Sequence, residues 1–231
     1  MMKLPKDFLK GSIPPLITPF KNGKVDYDAY AGLVEFQVKN GSHGILVNGT
    51  TSEPASLTVE ERNRIVDVAV EACAGKLPIV AATGSQNMQE TSALTDHAEK
   101  AGADALLIVT PYYPRPPQRG FASECLDHFG MDFRIFVGLE DLSFPMMAVG
   151  ACGLMNAVGN LQPKKLARMC DAVWAGDLKK AQKLHYELFE INQAVFYDTN
   201  PIAMKYMMKK LGIMPKNEHR LPMVAATKDL E

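Results

Sequence analysis

Gly44-Ile45-Leu46-Val47-Asn48-Gly49-Thr50-Thr51-Ser52-Glu53-Pro54-Ala55-Ser56-Leu57 is the stretch on which the reading of this chain turns. It begins as a short apolar run, Ile45 to Val47, of the kind that suits a strand buried on both faces. The chain then turns at Asn48-Gly49, displays two hydroxyls at Thr50 and Thr51, and adds the carboxylate of Glu53. Thr58 opens a helix with Glu60 and Glu61 in its first turn. The order is buried strand, hydroxyl-rich loop, helix. In a parallel α/β protein such a loop lies at the end of the sheet where ligands bind. A tight turn leaves backbone N–H groups free beside the two hydroxyls, so the loop can hold an anionic group such as a carboxylate. The pattern equally allows a hydroxyl-capped strand-to-helix turn with no ligand.

Similar units lie on both sides. Ile13 to Phe20 reads as a first strand, and Asp26 caps a helix that ends at Asn40-Gly41. The Thr58 helix carries Ile65, Val66, Ala69 and Val70 on one face and stops at Gly75. Pro78 to Gly84 is a third buried strand, Asn87 to Lys100 a third helix, and Ala105 to Thr110 the fourth strand. Successive strand–helix units predict a parallel sheet with right-handed crossovers. Apolar runs without alternation favour a closed (β/α) barrel over an antiparallel design, and a doubly wound open sheet also fits.

Beyond Pro117 the rhythm changes. Phe121 to Gly130 is one short helix, Arg134 to Gly138 a strand, and Gly153 to Val158 another. The remainder is helical, in three segments: from Pro163, from Asp177 to Phe196, and from Pro201 to Gly212. Some six strands are readable, whereas a complete barrel has eight and takes roughly 250 residues. The expected layout is an incomplete (β/α) barrel over residues 1–160. Residues 161–231 then supply the last barrel helix and a C-terminal helical extension of the same domain.

With 231 residues, 47% hydrophobic and 22% charged, the chain can bury a sizeable core. A net charge of −1 and the lack of a basic tract give no case for nucleic acid. Cys73, Cys125, Cys152 and Cys170 form no CxxC pair, and reduced buried thiols in a cytoplasmic protein are the expectation. Neither a signal peptide nor an apolar run of membrane-spanning length is readable.

For chemistry, Tyr112-Tyr113 follows the fourth strand at the same end as the Thr50-Thr51 loop. Phenolic groups there can relay protons, or simply pack at a loop mouth or subunit interface. Met155, near the end of the last strand, faces either a ligand or the core. The five histidines do not cluster, and no spacing supports a metal site, a nucleotide loop or a serine hydrolase. The lysines between Met204 and Lys210, and those between Leu178 and Lys183, read as solvated helical faces.

Several motifs occur in one order: Ile17-Thr18-Pro19, Gly49-Thr50-Thr51-Ser52-Glu53, Val109-Thr110-Pro111-Tyr112-Tyr113-Pro114-Arg115-Pro116, Asn200-Pro201-Ile202 and Arg220-Leu221-Pro222. In this the chain resembles the dihydrodipicolinate synthase / N-acetylneuraminate lyase family. Ser52 stands where that family usually has glycine. The resemblance implies a (β/α)8 TIM-type barrel, usually a homotetramer. It also implies a class I aldolase or lyase that forms a Schiff base between a barrel lysine and pyruvate or another 2-oxo acid, which then reacts with an aldehyde. By that likeness Thr51 binds the pyruvate carboxylate, and Thr50 joins a hydroxyl relay with Tyr113 of a neighbouring subunit. Met155 matches a backbone position that touches pyruvate. No cofactor or metal is implied. The family's fifth strand bears a relay tyrosine and its sixth the Schiff-base lysine, and neither motif is readable here. The chain passes from Gly120 to Phe121 as though two strand–helix units, the fifth and sixth, were absent. Of the remaining lysines, Lys21, Lys24, Lys76 and Lys205 offer no convincing substitute, because a Schiff-base amine must be desolvated beside the bound carboxylate.

Overall fold

The computed structural model describes residues 8–109 and 136–227. Cys125, Tyr112, Tyr113 and the junction between Gly120 and Phe121 lie outside these residues. The described elements, in chain order, begin with strand β1 (Gly11–Ser12), the hairpin strands β2 (Phe20–Lys21) and β3 (Lys24–Val25), and helix α1 (Tyr27–Lys39). Strand β4 (Ile45–Val47), helix α2 (Val59–Cys73), strand β5 (Ile79–Ala82), helix α3 (Met88–Ala101) and strand β6 (Ala105–Leu107) follow. The second half has β7 (Phe136–Val137), α4 (Ser143–Ala148), β8 (Gly153–Leu154), α5 (Pro163–Trp174), α6 (Leu178–Glu187), α7 (Phe189–Ala194) and α8 (Ile202–Lys210).

Two parallel sheets, β1-β8-β7 and β4-β5-β6, are joined where Pro15 bridges to Leu46. The expected first strand, Ile13 to Phe20, is therefore cut short. Pro14 and Pro15 have no N–H to give to a ladder. The chain nevertheless stays extended there, bonding on one side through Ile13 N to Leu154 O and on the other through Leu16 N to Leu46 O. Ile13, Leu46 and Val80 form one buried cluster, against which Ala105, Phe136 and Met155 pack. These six side chains come from six different strand segments, so the strands curve around a shared interior as barrel strands do. Two larger cores lie between the sheet and the helices. One is built around Ile45, Val47, Ile65 and Ala69, and the other around Leu154, Leu166, Met169 and Met204.

Other expectations shift in detail. Phe20 leaves the barrel strand and pairs antiparallel with Val25 across a turn in which Asn22 and Gly23 both have positive φ. The stretch read as a strand to Val158 stops at Leu154, and Ala157–Asn160 forms a 3₁₀ turn. The single helix expected from Asp177 to Phe196 breaks at Leu188. The fourth strand forms at Ala105–Leu107, and Leu106, Leu107, Ile108 and Val109 are 41, 39, 55 and 47% exposed. Its one partner among the described strands is β5. No helix among the described residues is long and apolar enough to cross a membrane.

Candidate functional site

The loop after β4 is the centre of the site. Gly49 is extended, Thr50–Ser52 forms a 3₁₀ turn, and Glu53 closes it in the left-handed region at φ 58°. Three hydrogen bonds tie the turn to the first strand and to α2. Thr18 Oγ1 donates to Ser52 O at 2.8 Å, Ser52 Oγ donates to Leu16 O at 2.5 Å, and Asn48 Nδ2 donates to Arg62 O at 2.9 Å. Ser52 is fully buried, so its hydroxyl is a structural tie. Thr50 is exposed at the start of the turn, and Thr51 is buried beneath it. Thr51 Oγ1 accepts a hydrogen bond from Asn200 Nδ2 at 3.0 Å. Met155 sits at the end of β8, its N–H bonded to Val137 O at 2.9 Å and its side chain against the barrel interior beside Leu46. The structure thus brings the Thr50-Thr51 turn and Met155 to the C-terminal ends of β4 and β8. Tyr113, the remaining candidate, is outside the described residues.

Below the turn lies an ion cluster that sequence reasoning missed. Lys205 does not line a solvated face. It is 0% exposed, with Nζ 2.5 Å from Glu53 Oε1 and donating to Glu218 O at 3.0 Å. Burial lowers its pKa below the ordinary lysine value, and the neighbouring charge of Glu53 opposes that shift. His219 is also enclosed, with Nδ1 3.8 Å from Glu53 Oε2. Phe20 is the floor of the cluster, and both Lys205 Nζ and the Arg220 guanidinium lie over its ring, at 4.3 and 4.7 Å. Arg220 meets Glu61 in a two-pronged pair at 2.6 and 2.7 Å and donates to Gly23 O and Ser56 O. That bond holds the Glu61 carboxyl below its usual pKa. The visible signal was position. On the nine-residue α8, Lys205 falls between the buried Met204 and Tyr206 and one turn before the buried Met208.

A second polar group sits past β7. Glu140 is buried, with Oε1 accepting from Val158 N and its pKa raised by desolvation. Ser143 and Asn156 complete a chain of hydrogen bonds to its backbone carbonyl. No group of three or more metal-binding side chains occurs among the described residues.

Comparison with known proteins fits this geometry. The sequence profile of the Dihydrodipicolinate synthetase family matches residues 8–129 and 122–231. The chain belongs to the dihydrodipicolinate synthetase family. A 4-hydroxy-tetrahydrodipicolinate synthase of Thermus thermophilus is 36% identical over 278 residues, covering 96% of this chain and 93% of the relative. The Aquifex aeolicus synthase is 34% identical over 277 residues, at 96% and 94% coverage. Among solved structures of the family, the Aquifex aeolicus enzyme superposes with a TM-score of 0.89 at 32% identity, covering 96% of this chain and 94% of that one. The Thermotoga maritima enzyme does so at 0.91 and 27% identity, covering 96% and 94%. The fold is therefore the α/β fold of these synthases. The 278-residue alignment with the Thermus relative exceeds the 231 residues of this chain, so at least 47 positions of that family member have no counterpart here.

Proposed function

We propose that this chain is a 2-oxo-acid-binding member of the pyruvate-dependent lyases, built on a barrel that lacks the fifth and sixth strand–helix units. In this reading the parent activity is that of a class I aldolase or lyase, a 4-hydroxy-tetrahydrodipicolinate synthase-like reaction joining pyruvate to an aldehyde. Thr51 takes the carboxylate. Thr50 stands in the hydroxyl relay with Tyr113 of a neighbouring subunit, Met155 offers its backbone to the ligand, and the chain forms a homo-oligomer, tetrameric by the resemblance. Residues 1–160 are the incomplete barrel, and residues 161–231 its closing helix and extension. The imine-forming lysine and the relay tyrosine belong to the missing units. Lys205 does not replace the lysine: its Nζ is fully enclosed and engaged by Glu53 and the Glu218 carbonyl, out of reach of a ligand carbonyl at the strand ends.

The observation that carries the reading is the buried Thr51 hydroxyl at the strand end, paired with Asn200 on its acceptor side. The excess alignment length supports the missing units. The test is pyruvate with borohydride, read by intact mass, beside thermal unfolding with and without pyruvate. We expect a higher Tm with pyruvate and no covalent adduct. An adduct would show that a working lysine is present and would favour the active-lyase reading. An unchanged Tm would remove the 2-oxo-acid site.

A further inference from the structure

We infer that Asn200 is a positioning residue that makes the Thr51 hydroxyl a donor toward the ligand. The inference rests on the 2-oxo-acid reading and deepens it. A threonine hydroxyl can donate once and accept twice, whereas an amide NH₂ can only donate. With Asn200 Nδ2 donating to Thr51 Oγ1 at 3.0 Å and Asn200 Oδ1 turned away, buried and without a partner, the amide in this orientation occupies a lone pair and does not receive the proton. The Thr51 proton must point elsewhere, and no described residue accepts it. The neighbouring hydroxyls differ. Thr18 and Ser52 spend their protons on the carbonyls of Ser52 and Leu16. Thr51 is thus the buried hydroxyl of this turn with a proton left to give, and an anionic oxygen is the partner that gains most from it.

Asn200 is itself held from below. It leads into α8, whose Lys205 grips Glu53, the residue that closes the Thr50–Ser52 turn. The turn is therefore clasped twice by one short stretch of chain: at Glu53 by charge and at Thr51 by an amide. The first contact fixes where the turn lies, and the second fixes which way the hydroxyl faces.

Replacing the amide of Asn200 by a carboxylate inverts the polarity at nearly constant shape. An ionised carboxylate at this position would accept the Thr51 proton and add a negative charge near the ligand. Once protonated, the carboxyl group would again have an O–H to give. For Asn200→Asp, calorimetric pyruvate affinity at neutral pH should fall about tenfold or more, the scale of one hydrogen bond to a charged group. It should recover as pH is lowered through about 4, the carboxyl's own titration range, while wild-type affinity changes little. Thr51→Val should abolish binding, and Asn200→Ala should weaken it without pH dependence. The Tm of all three without ligand should stay near that of the wild type. Wild-type-like binding by Asn200→Asp, or a loss that does not respond to pH, overturns this inference alone. A wild type that does not bind pyruvate overturns the 2-oxo-acid reading and this inference with it.

Discussion

Lys205 and Glu53 set the stability of the site at the residue scale. Both side chains are sealed from water and lie 2.5 Å apart. A buried pair contributes little relative to apolar residues of the same volume, but losing one partner strands the other charge. Lys205→Met should therefore destabilise the fold by about 3–5 kcal/mol. The double variant Glu53→Gln, Lys205→Met should recover most of that loss, because neither charge remains. Urea unfolding of the two variants checks this, and equal losses in both would mean that packing around Phe20, and not charge, sets the energy. The Glu61–Arg220 pair behaves differently because it is partly exposed. The folded pKa of Glu61 lies below its ordinary value. Its stabilisation is complete above the ordinary glutamate pKa of about 4.3 and drains away as pH falls through the lower folded value. Glu61→Gln should flatten the acid limb of a plot of stability against pH and leave its slope near neutrality unchanged. None of this was legible beforehand. Lys205 shares its helix with the exposed Lys209 and Lys210, and its partner Glu53 lies far away in sequence, so local pattern could not assign it to the interior.

At the scale of elements, what local chemistry determines was readable and what tertiary contact determines was not. Helix α2 starts where Thr58 and Glu61 exchange hydrogen bonds in a complete capping box, and that motif is visible in four residues. Thr58→Ala should cost about 1 kcal/mol in urea unfolding. The β2–β3 hairpin carried its own sign, Asn22-Gly23, which supplies the two positive-φ residues such a turn demands. The apolar run before it masks this sign, because Phe20 reads as the end of a strand. The short β1–β8 pairing was invisible, since it depends on two glycines far apart in the sequence, Gly11 and Gly153. A Cβ on Gly153 would lie 2.6 Å from Gly11 N. Gly153→Ala should push these strands apart and lower stability by about 1–3 kcal/mol, the usual cost of overpacking. The shift should appear as faster hydrogen exchange at Gly11 and Ile13, whose N–H groups bond to Cys152 and Leu154.

The whole molecule poses the question of closure. Among the described residues six strand segments share one interior, and a complete barrel of this class has eight. The apolar run Leu106 to Val109 is 39–55% exposed, whereas Ile45 to Val47 in the same sheet is at most 4% exposed. Parallel strands have apolar residues on both faces because they expect cover on both. An apolar run of this kind suits a strand covered on both faces. If the fifth and sixth units are what is missing, restoring them should restore more than packing. Grafting the corresponding segment of the Thermus thermophilus synthase between Gly120 and Phe121 should raise the Tm and protect the amides of residues 106–109 from exchange. With pyruvate and borohydride it should yield a covalent adduct on the grafted lysine. The grip proposed for the Thr51 hydroxyl and the covalent anchor would then act on one ligand. A graft that folds and protects residues 106–109 but gains no adduct would show that the strand ends of this chain no longer meet the lysine's reach, and that binding without chemistry is a property of its own half of the site.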